Sequence, residues 1–337
     1  MKVKLKIRKF EAKKDTLPSY KTYEVEVPET ATLLDCLDKV KWYQDASLTY
    51  RRNCKNSICG SCAMNVNGRT ILACETHVKH ELTVSKRNEL IVEPMNNMPV
   101  LRDLVVDMAP FWDALQAVEP WLQPDESKVP EKEYLQSKEE VHLLDKVAGC
   151  IMCGACFGAC NGREAEEKFL GPAALARAWR YTMDSRDARQ KDRVALYNEP
   201  HGAWDCTHCF FCVEVCPVNV APMDQILKLR KMAMDAGMTN NPGARHHVGF
   251  EKIIEKSGWL DEVKLPVVSL GFNLIGQLSM IPLGVRMFTK GKMPHLIHTP
   301  IEKIKEVRDI YQLAREEEKQ QRKMLAAAIE RKTREKL

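Results

Sequence analysis

Apolar and polar residues alternate in two stretches near the N-terminus, residues 3–7 and 23–27. A period of two is typical of strands with one buried face, so both stretches are predicted strands, joined through the turn-rich residues 15–19. The apolar run 33–37 follows Thr32, a residue type that caps helix N-termini, and predicts a short helix. Two strands, a helix and a following cysteine loop predict a small β-grasp domain over residues 1–100.

Helical patterns dominate from residue 101 onward. Apolar residues recur at helical spacing over residues 103–115, and a further helix is predicted over 143–147. Pro172 is expected in the first turn of another helix, because proline fits that position well. Residues 123–140 are polar and interrupted by prolines, which predicts a surface connection. These segments predict an all-α domain over residues 101–238.

The last hundred residues, 239–337, form a predicted helical extension for partner docking. Residues 265–285 carry no charge and are nearly long enough to cross a bilayer. Their prolines and glycines, with Asn273 and Gln277, disfavour a lipid-spanning helix, so we expect a segment in a partner's groove or at a membrane interface. From residue 300 a charged helix with one apolar stripe is predicted, either clasping a partner or solvated.

The composition is typical of a soluble globular protein and disfavours nucleic acid as a partner. The 337-residue chain is 45% hydrophobic and 29% charged, and its net charge is +5. A concentrated basic face with interleaved aromatic residues is missing from the sequence, which disfavours nucleic acid binding. Thirteen cysteines without an N-terminal apolar signal region favour metal or cluster ligation in a reducing compartment over disulfides.

Twelve of the cysteines fall into three groups with the spacings of iron–sulfur ligands. The first group follows the C-x4-C-x2-C…C pattern of plant-type [2Fe–2S] ferredoxins, and the other two follow the C-x2-C-x2-C-x3-C pattern of two-cluster bacterial ferredoxins. The thirteenth, Cys36, lies in an apolar helical run and is expected in the core. The three groups are Cys54, Cys59, Cys62 and Cys74; Cys150, Cys153, Cys156 and Cys160; and Cys206, Cys209, Cys212 and Cys216.

In paired runs of the second kind, the fourth cysteine of each run ligates the cluster of the other run. The pattern therefore predicts a [2Fe–2S] cluster on the first group and two cubane-type clusters, A and B, on exchanged ligand sets. Three such centres predict one-electron transfer over a long distance, and structural zinc is the alternative. Cluster A would use Cys150, Cys153, Cys156 and Cys216, and cluster B would use Cys160, Cys206, Cys209 and Cys212.

The residues around Cys54 suit an anionic cluster. Gly60 and Ser61 allow a tight loop whose backbone N–H groups point at the sulfurs. Arg51, Arg52 and Lys55 are expected to stabilise the negative charge of the cluster and to raise its reduction potential.

Residues 59–68, 99–108, 169–175 and 215–217, with the cysteine groups, resemble the iron–sulfur subunits of succinate dehydrogenase and fumarate reductase. The resemblance covers about residues 1–235. It implies an α+β protein, with a plant-type [2Fe–2S] β-grasp domain followed by an all-α bacterial-ferredoxin-like domain. It also implies a partner flavoprotein that carries FAD and interconverts succinate and fumarate, so this chain would hold no catalytic residue and would relay electrons from the flavin through the three clusters.

The chain departs from common members of that family near cluster B. Those members carry a non-cysteine residue at the position of Cys209 and hold a [3Fe–4S] cluster, so Cys209 predicts a second [4Fe–4S] cluster, with [3Fe–4S] as the alternative. Asn161 replaces the usual proline, and Glu164 and Thr207 stand near the positions of a tryptophan and a histidine that border the quinone pocket. These changes argue against the ordinary quinone site.

The extension carries a second resemblance. Residues 243–250, 258–261, 285–294 and 304–308 resemble the small ferredoxin-like subunit of heterodisulfide reductases, which docks onto cysteine-rich CCG domains. This implies the subgroup of methylmenaquinol:fumarate reductase type, in which a CCG-domain subunit connects the chain to quinone or quinol. A heterodisulfide-reductase-like module serving another flavoprotein or a thiol substrate is the alternative. The expected location is peripheral on the cell membrane, on the cytoplasmic face or, after co-export with a signal-bearing flavoprotein, on the periplasmic face. The sequence leaves the direction of the reaction open.

Overall fold

The computed structural model describes residues 1–295 and 298–335. The chain divides into two compact units, one ending at Gly237 and the other beginning at Met238. The first unit has an N-terminal sheet followed by helices, and the second is helical. The prediction of a sheet domain followed by helical parts is therefore confirmed.

The N-terminal sheet has the strand order β2-β1-β5-β3-β4. Strand β1 pairs antiparallel with β2 and parallel with β5, so Leu5 lies opposite both Tyr23 and Leu90. Helix α1 begins after Thr32, whose side chain and that of Asp35 form a reciprocal capping box, which confirms the predicted cap. The elements are β1 (Lys2–Lys9), β2 (Ser19–Glu26), α1 (Leu33–Tyr43), β3 (Ala63–Val66), β4 (Arg69–Leu72), α2 (Val78–Ser85) and β5 (Leu90–Glu93).

The predicted helix over residues 103–115 is wrong in its first half. There β6 (Val100–Arg102) and β7 (Val105–Val106) pair as a short hairpin, and α3 starts only at Ala109 and ends at Gln116. Asp103 adopts a left-handed φ of +46°, and its carboxylate accepts hydrogen bonds from the backbone N–H of Phe10 (3.1 Å) and of Thr49 (2.9 Å). These long-range bonds hold a turn where local periodicity favours a helix.

Short helices form the rest of the first unit and surround the two later cysteine runs. The helix predicted over 143–147 is shorter at its start, because α5 begins only at Asp145 and runs to Ala148. Pro172 lies in the first turn of α8, as predicted. The helices are α4 (Lys138–His142), α5 (Asp145–Ala148), α6 (Ala155–Gly158), α7 (Asn161–Ala165), α8 (Gly171–Thr182), α9 (Gln190–Asn198), α10 (Phe211–Glu214) and α11 (Pro222–Asp235).

The second unit is built around α12, which packs on α13 and α16. The uncharged stretch 265–285 is divided among three short helices, with a break at Gly271, where φ is +58°. The long charged helix predicted after residue 300 is confirmed as α16. In the described parts of the chain, no helix combines the length and apolar character of a membrane span. The helices are α12 (Pro242–Ser257), α13 (Lys264–Leu270), α14 (Leu274–Ser279), α15 (Ile281–Thr289) and α16 (Ile304–Glu335).

Candidate iron–sulfur sites

The loop that carries Cys54 directs backbone N–H groups at sulfur. The N–H groups of Asn56 and Cys59 donate to Cys54 Sγ, and that of Ser57 donates to Cys74 Sγ, each at 3.3 Å. Left-handed φ angles at Lys55, Ser57 and Gly60 turn these amides inward. A concave group of amides of this kind stabilises an anion, so the loop suits a negatively charged cluster.

All four sulfurs of this first set lie close enough to interact. Hydrogen bonds from the Ser61 side chain and the Cys54 amide lower the pKa of Cys59 to about 6. Burial raises the pKa of Cys62 to about 12, and the neighbouring Cys74 and Cys59 contribute to the rise. Cluster binding requires thiolates, so the shifted pKa values of Cys59 and Cys62 are expected at such a site.

A cavity in the helical part is lined by the first three cysteines of the second group and the last cysteine of the third. Its empty volume is about 380 Å³, with open solvent included, and its other walls are apolar. Burial and the neighbouring Cys153 and Cys150 raise the pKa of Cys156 well above its usual value. The backbone N–H of Val220 donates to Cys216 Sγ at 3.2 Å. The four cysteines are Cys150, Cys153, Cys156 and Cys216.

A second cavity, of about 310 Å³ on the same measure, is lined by the complementary set. Burial raises the pKa of Cys212 to about 12, and Cys206, Cys160 and Cys209 add to the rise. Cys160 thus lies with the later cysteine run, while Cys216 lies with the earlier one. The four cysteines are Cys160, Cys206, Cys209 and Cys212.

The two cavities are wrapped by loops of the same conformation. In each loop the residues on both sides of the middle cysteine have left-handed φ angles, at Met152 and Gly154 in one and at His208 and Phe210 in the other. A bulky side chain at such an angle costs on the order of 1 kcal/mol or more, so the surroundings must hold Phe210 in place. The two loops therefore share one backbone shape around their middle cysteines.

The donor set of each site fits an iron–sulfur cluster, which four thiolates hold and which amide N–H groups stabilise. Among the residues that the structure describes, no three His, Cys, Asp or Glu side chains lie close enough together to hold a single metal ion.

Cys36, expected in the core, is fully buried in the hydrophobic core, and burial raises the pKa of its thiol to about 12.

The three sites lie in series. Gly60 of the first site is packed so closely on Cys153 that a Cβ on Gly60 would lie 2.5 Å from Cys153 Cβ. Cys156 of the second site interacts electrostatically with Cys212 of the third. The first site therefore adjoins the second, and the second adjoins the third.

Asp38 is a functional residue that the sequence alone did not identify. Its side chain is almost fully buried and accepts hydrogen bonds from Tyr50 Oη (2.5 Å), Arg52 Nη1 (2.5 Å) and Lys55 Nζ (2.7 Å). Burial alone would raise the pKa of Asp38, but the bonds from Lys55 and Tyr50 outweigh it and hold the pKa below its usual range. Arg52 and Lys55, which were predicted to stabilise the cluster, donate to the carboxylate of Asp38. Asp38 therefore anchors the loop on both sides of Cys54.

Replacing Asp38 with asparagine should loosen this loop, because Arg52 and Lys55 lose their buried counter-charge. We expect the free energy of unfolding to fall by about 3 kcal/mol, the low end of the range for removing one partner of a buried ion pair, because Arg52 and Lys55 are partly exposed. The [2Fe–2S] EPR signal per protein should fall with it. Urea unfolding and anaerobic EPR measure both. The control is Glu24→Gln, which removes a charge from a largely exposed pair with Lys4 and should change stability by less than about 1 kcal/mol. Equal losses in the two variants would contradict the anchoring role.

Arg230 is a second residue that pattern reasoning missed. It is 6% exposed, and its guanidinium donates to the carbonyl oxygens of Ala203 (2.8 Å) and Cys206 (2.7 Å) and contacts the ring of His208. Met223 Sδ lies 3.5 Å from Cys206 Sγ on the same side. A buried cation at the base of this loop favours the reduced, more negative form of a bound cluster.

Two family models match the chain where these sites lie. A 2Fe-2S iron-sulfur cluster binding domain matches residues 4–113, and a 4Fe-4S dicluster domain matches residues 146–220. Binding domains for both kinds of cluster are therefore present.

This chain aligns with most of the length of each of two curated relatives. The fumarate reductase iron-sulfur subunit of Escherichia coli O6:H1 is 37% identical over 220 residues, which are 65% of this chain and 88% of the relative. The protein of the same description from Mycobacterium tuberculosis is 36% identical over 233 residues, 69% of this chain and 93% of the relative. Among solved structures, a chain of the Mycobacterium smegmatis Sdh1 complex in the apo form has a TM-score of 0.62 at 27% identity and covers 70% of this chain and 96% of that one.

Proposed function

Because this chain belongs to the family of iron–sulfur subunits of fumarate reductase and succinate dehydrogenase, we propose that it connects the flavin of a flavoprotein subunit to a quinone-linked subunit of the same complex. The observation that carries the proposal is the series of three four-cysteine sites, in which Gly60 packs on Cys153, and α6 with Cys156 packs on α10 with Cys212. When bound, the clusters supply centres that accept and give one electron at a time. The carbon chemistry of succinate and fumarate belongs to the flavoprotein.

We assign the twelve cysteines to three clusters. The inward amides of the Cys54 loop support a [2Fe–2S] cluster in a β-grasp ferredoxin domain. The two cavities support [4Fe–4S] clusters in an all-α, bacterial-ferredoxin-like domain, since each is lined by four thiols. The ligands are Cys54, Cys59, Cys62 and Cys74; Cys150, Cys153, Cys156 and Cys216; and Cys160, Cys206, Cys209 and Cys212.

The flavoprotein, which carries FAD, is proposed to dock at the first site. Cys54 is exposed there, and the neighbouring Ile58 is 64% exposed, so this cluster lies at a surface where a partner's cofactor can approach. Trp42, exposed on α1, stacks with Arg52 and Lys55 beside the same loop. An aromatic side chain with nearby cations is a frequent anchor of protein interfaces.

The exit is proposed at the third site, toward a CCG-domain subunit that reaches quinone or quinol. Phe210 and Phe211, next to Cys209, are both exposed and offer an apolar contact. Thr207 lines the cavity where common relatives carry a histidine, which supports transfer to a protein partner rather than to quinone held here. The extension from residue 239 is the proposed docking region of that subunit, and the complex is proposed to lie peripherally on the membrane, with the cytoplasmic face favoured.

Anaerobic purification of the native complex tests this proposal. We expect a brown protein with a reduced [2Fe–2S] EPR signal and [4Fe–4S] signals after dithionite, together with a flavoprotein that oxidises succinate with a dye acceptor. Colourless protein with stoichiometric zinc would overturn the electron-transfer function. Intact clusters without succinate oxidation or fumarate reduction would instead favour the heterodisulfide-reductase-like module.

A further inference from the structure

The second unit exposes an unusual amount of apolar surface in the segment 264–293, here named the apolar segment. Phe272 is fully exposed, and Ile275 and Phe288 are 83% and 75% exposed. Leu274, Leu278 and Ile281 are exposed as well. So many exposed apolar side chains within one segment indicate a binding site, because their removal from water is favourable.

The apolar segment is held in a defined shape within its unit. Arg245 of α12 donates to the carbonyl of Ser269 (3.0 Å), and the Gln277 side chain donates to the carbonyl of Gly271 (2.5 Å). Gly249 of α12 packs so closely on Val268 that a Cβ there would lie 2.8 Å from Val268 Cγ1. These contacts fix the base of the segment, so its exposed side chains form a lasting surface.

Helix α15 is amphipathic with its apolar side outward. Ile281, Val285 and Phe288 recur at i, i+4 and i+7, which places them on one face, and all three are exposed. Arg286 lies on the opposite side of the helix, and Lys290 and Lys292 follow directly after its last residue, Thr289. An exposed apolar face backed by cations is typical of helices that lie in the interface of a bilayer.

The charges within the apolar segment have one sign, and Lys264 at its start is paired with Asp261 just before it. Residues 263–301 contain no Asp or Glu, whereas Lys264, Arg286, Lys290 and Lys292 are cationic. Such a surface is complementary to anionic lipid headgroups, which attract each nearby Lys or Arg. A groove on a partner protein would be complementary to this positive charge only if acidic residues lined its rim.

We propose that the apolar segment binds the surface of an anionic lipid bilayer, with Phe272, Ile275 and Phe288 inserted at the boundary of headgroups and acyl chains. Arg286, Lys290 and Lys292 contact the headgroups. The inference rests on the proposed peripheral membrane location and names the part of the chain that makes the contact.

Vesicle flotation of the full chain, purified anaerobically with its clusters, tests this proposal. We expect binding to phosphatidylcholine vesicles that contain phosphatidylglycerol and weaker binding to phosphatidylcholine alone. The double substitution Phe272→Ser and Ile275→Ser should lower partitioning at least about tenfold. Replacing Arg286, Lys290 and Lys292 with glutamine should remove the preference for phosphatidylglycerol.

The matched control is Ile310→Ser with Leu313→Ser, which changes two similarly exposed apolar residues on α16 and should leave flotation unchanged. Equal losses in both double variants would overturn the proposal. A wild-type chain that does not float would also overturn the proposal. If, in addition, the Phe272 and Ile275 variant loses a protein subunit from the native complex, the segment is a protein-docking surface. Succinate oxidation with a soluble dye, measured on the same samples, reports separately on the proposed electron transfer.

Discussion

Replacing Cys209 with serine is expected to change the third cluster from [4Fe–4S] to [3Fe–4S]. Cys209 is one of four thiols around this cavity, and a site with three thiolates loses the iron that the fourth would hold. We expect a new EPR signal in the oxidised protein and a midpoint potential higher by on the order of 100 mV. EPR-monitored redox titration measures both, with Cys209→Ala as a second variant that offers no oxygen ligand.

Cys36→Ala is the control for this experiment. Cys36 is the one cysteine outside the three groups, and it is fully buried in the core of the sheet domain. Its replacement should cost about 1 kcal/mol of stability through lost packing and should leave all three cluster signals intact. If oxidised Cys209→Ser shows the same spectrum as the wild type, Cys209 is not a ligand and the assignment of the third cluster fails.

Replacing Gly60 with alanine is expected to separate the first site from the second. The added Cβ would lie 2.5 Å from Cys153 Cβ and 2.7 Å from Cys153 Cα, and the φ of +70° disfavours any side chain. Steric overlap and backbone strain together should reduce the free energy of unfolding by about 2–4 kcal/mol. The rate of electron transfer between the first two clusters should fall, because the loops must move apart.

Gly68→Ala separates the two causes. Gly68 also has a left-handed φ, of +84°, but a Cβ there meets no atom within 4 Å. We expect this variant to lose only about 1 kcal/mol and to keep the wild-type rate of electron transfer. Rapid-mixing reduction followed at each cluster's absorbance compares the rates. A Gly60→Ala protein that transfers electrons as fast as Gly68→Ala would contradict the short route through Cys153.

The chemistry of the chain is largely written in local sequence. Ligand spacing within a loop depends on a few consecutive residues, which is why the cysteine groups and the loops around them were recognisable without a structure. The same holds for the alternating strands β1 and β2, for the Thr32 cap and for Pro172 in the first turn of α8. The cap and the proline depend on partners within a few residues, and the alternation that marks the strands is itself a local pattern.

Tertiary structure decided the features whose partners are distant in sequence. Asp103 forms a turn rather than a helix because Phe10 and Thr49 bond its carboxylate. Arg230 lies beside the third site only because α11 packs there. Asp38 lies beside the first site because Tyr50, Arg52 and Lys55 of the Cys54 loop bond its carboxylate. The uncharged residues 265–285 are divided among three helices by a break at Gly271, which packs on Arg245 of α12, and by a second break between Ser279 and Ile281.

The sequence by itself thus predicted which residues can hold the clusters, and it determined a sheet domain at the first group and helices at the other two. Only the fold decided that the sites lie in series, since the contact between Gly60 and Cys153 joins loops more than ninety residues apart. The physical reason is that ligand geometry is a local property of the backbone. The spacing between sites, the buried charges beside them and the surface left exposed depend on how distant segments pack.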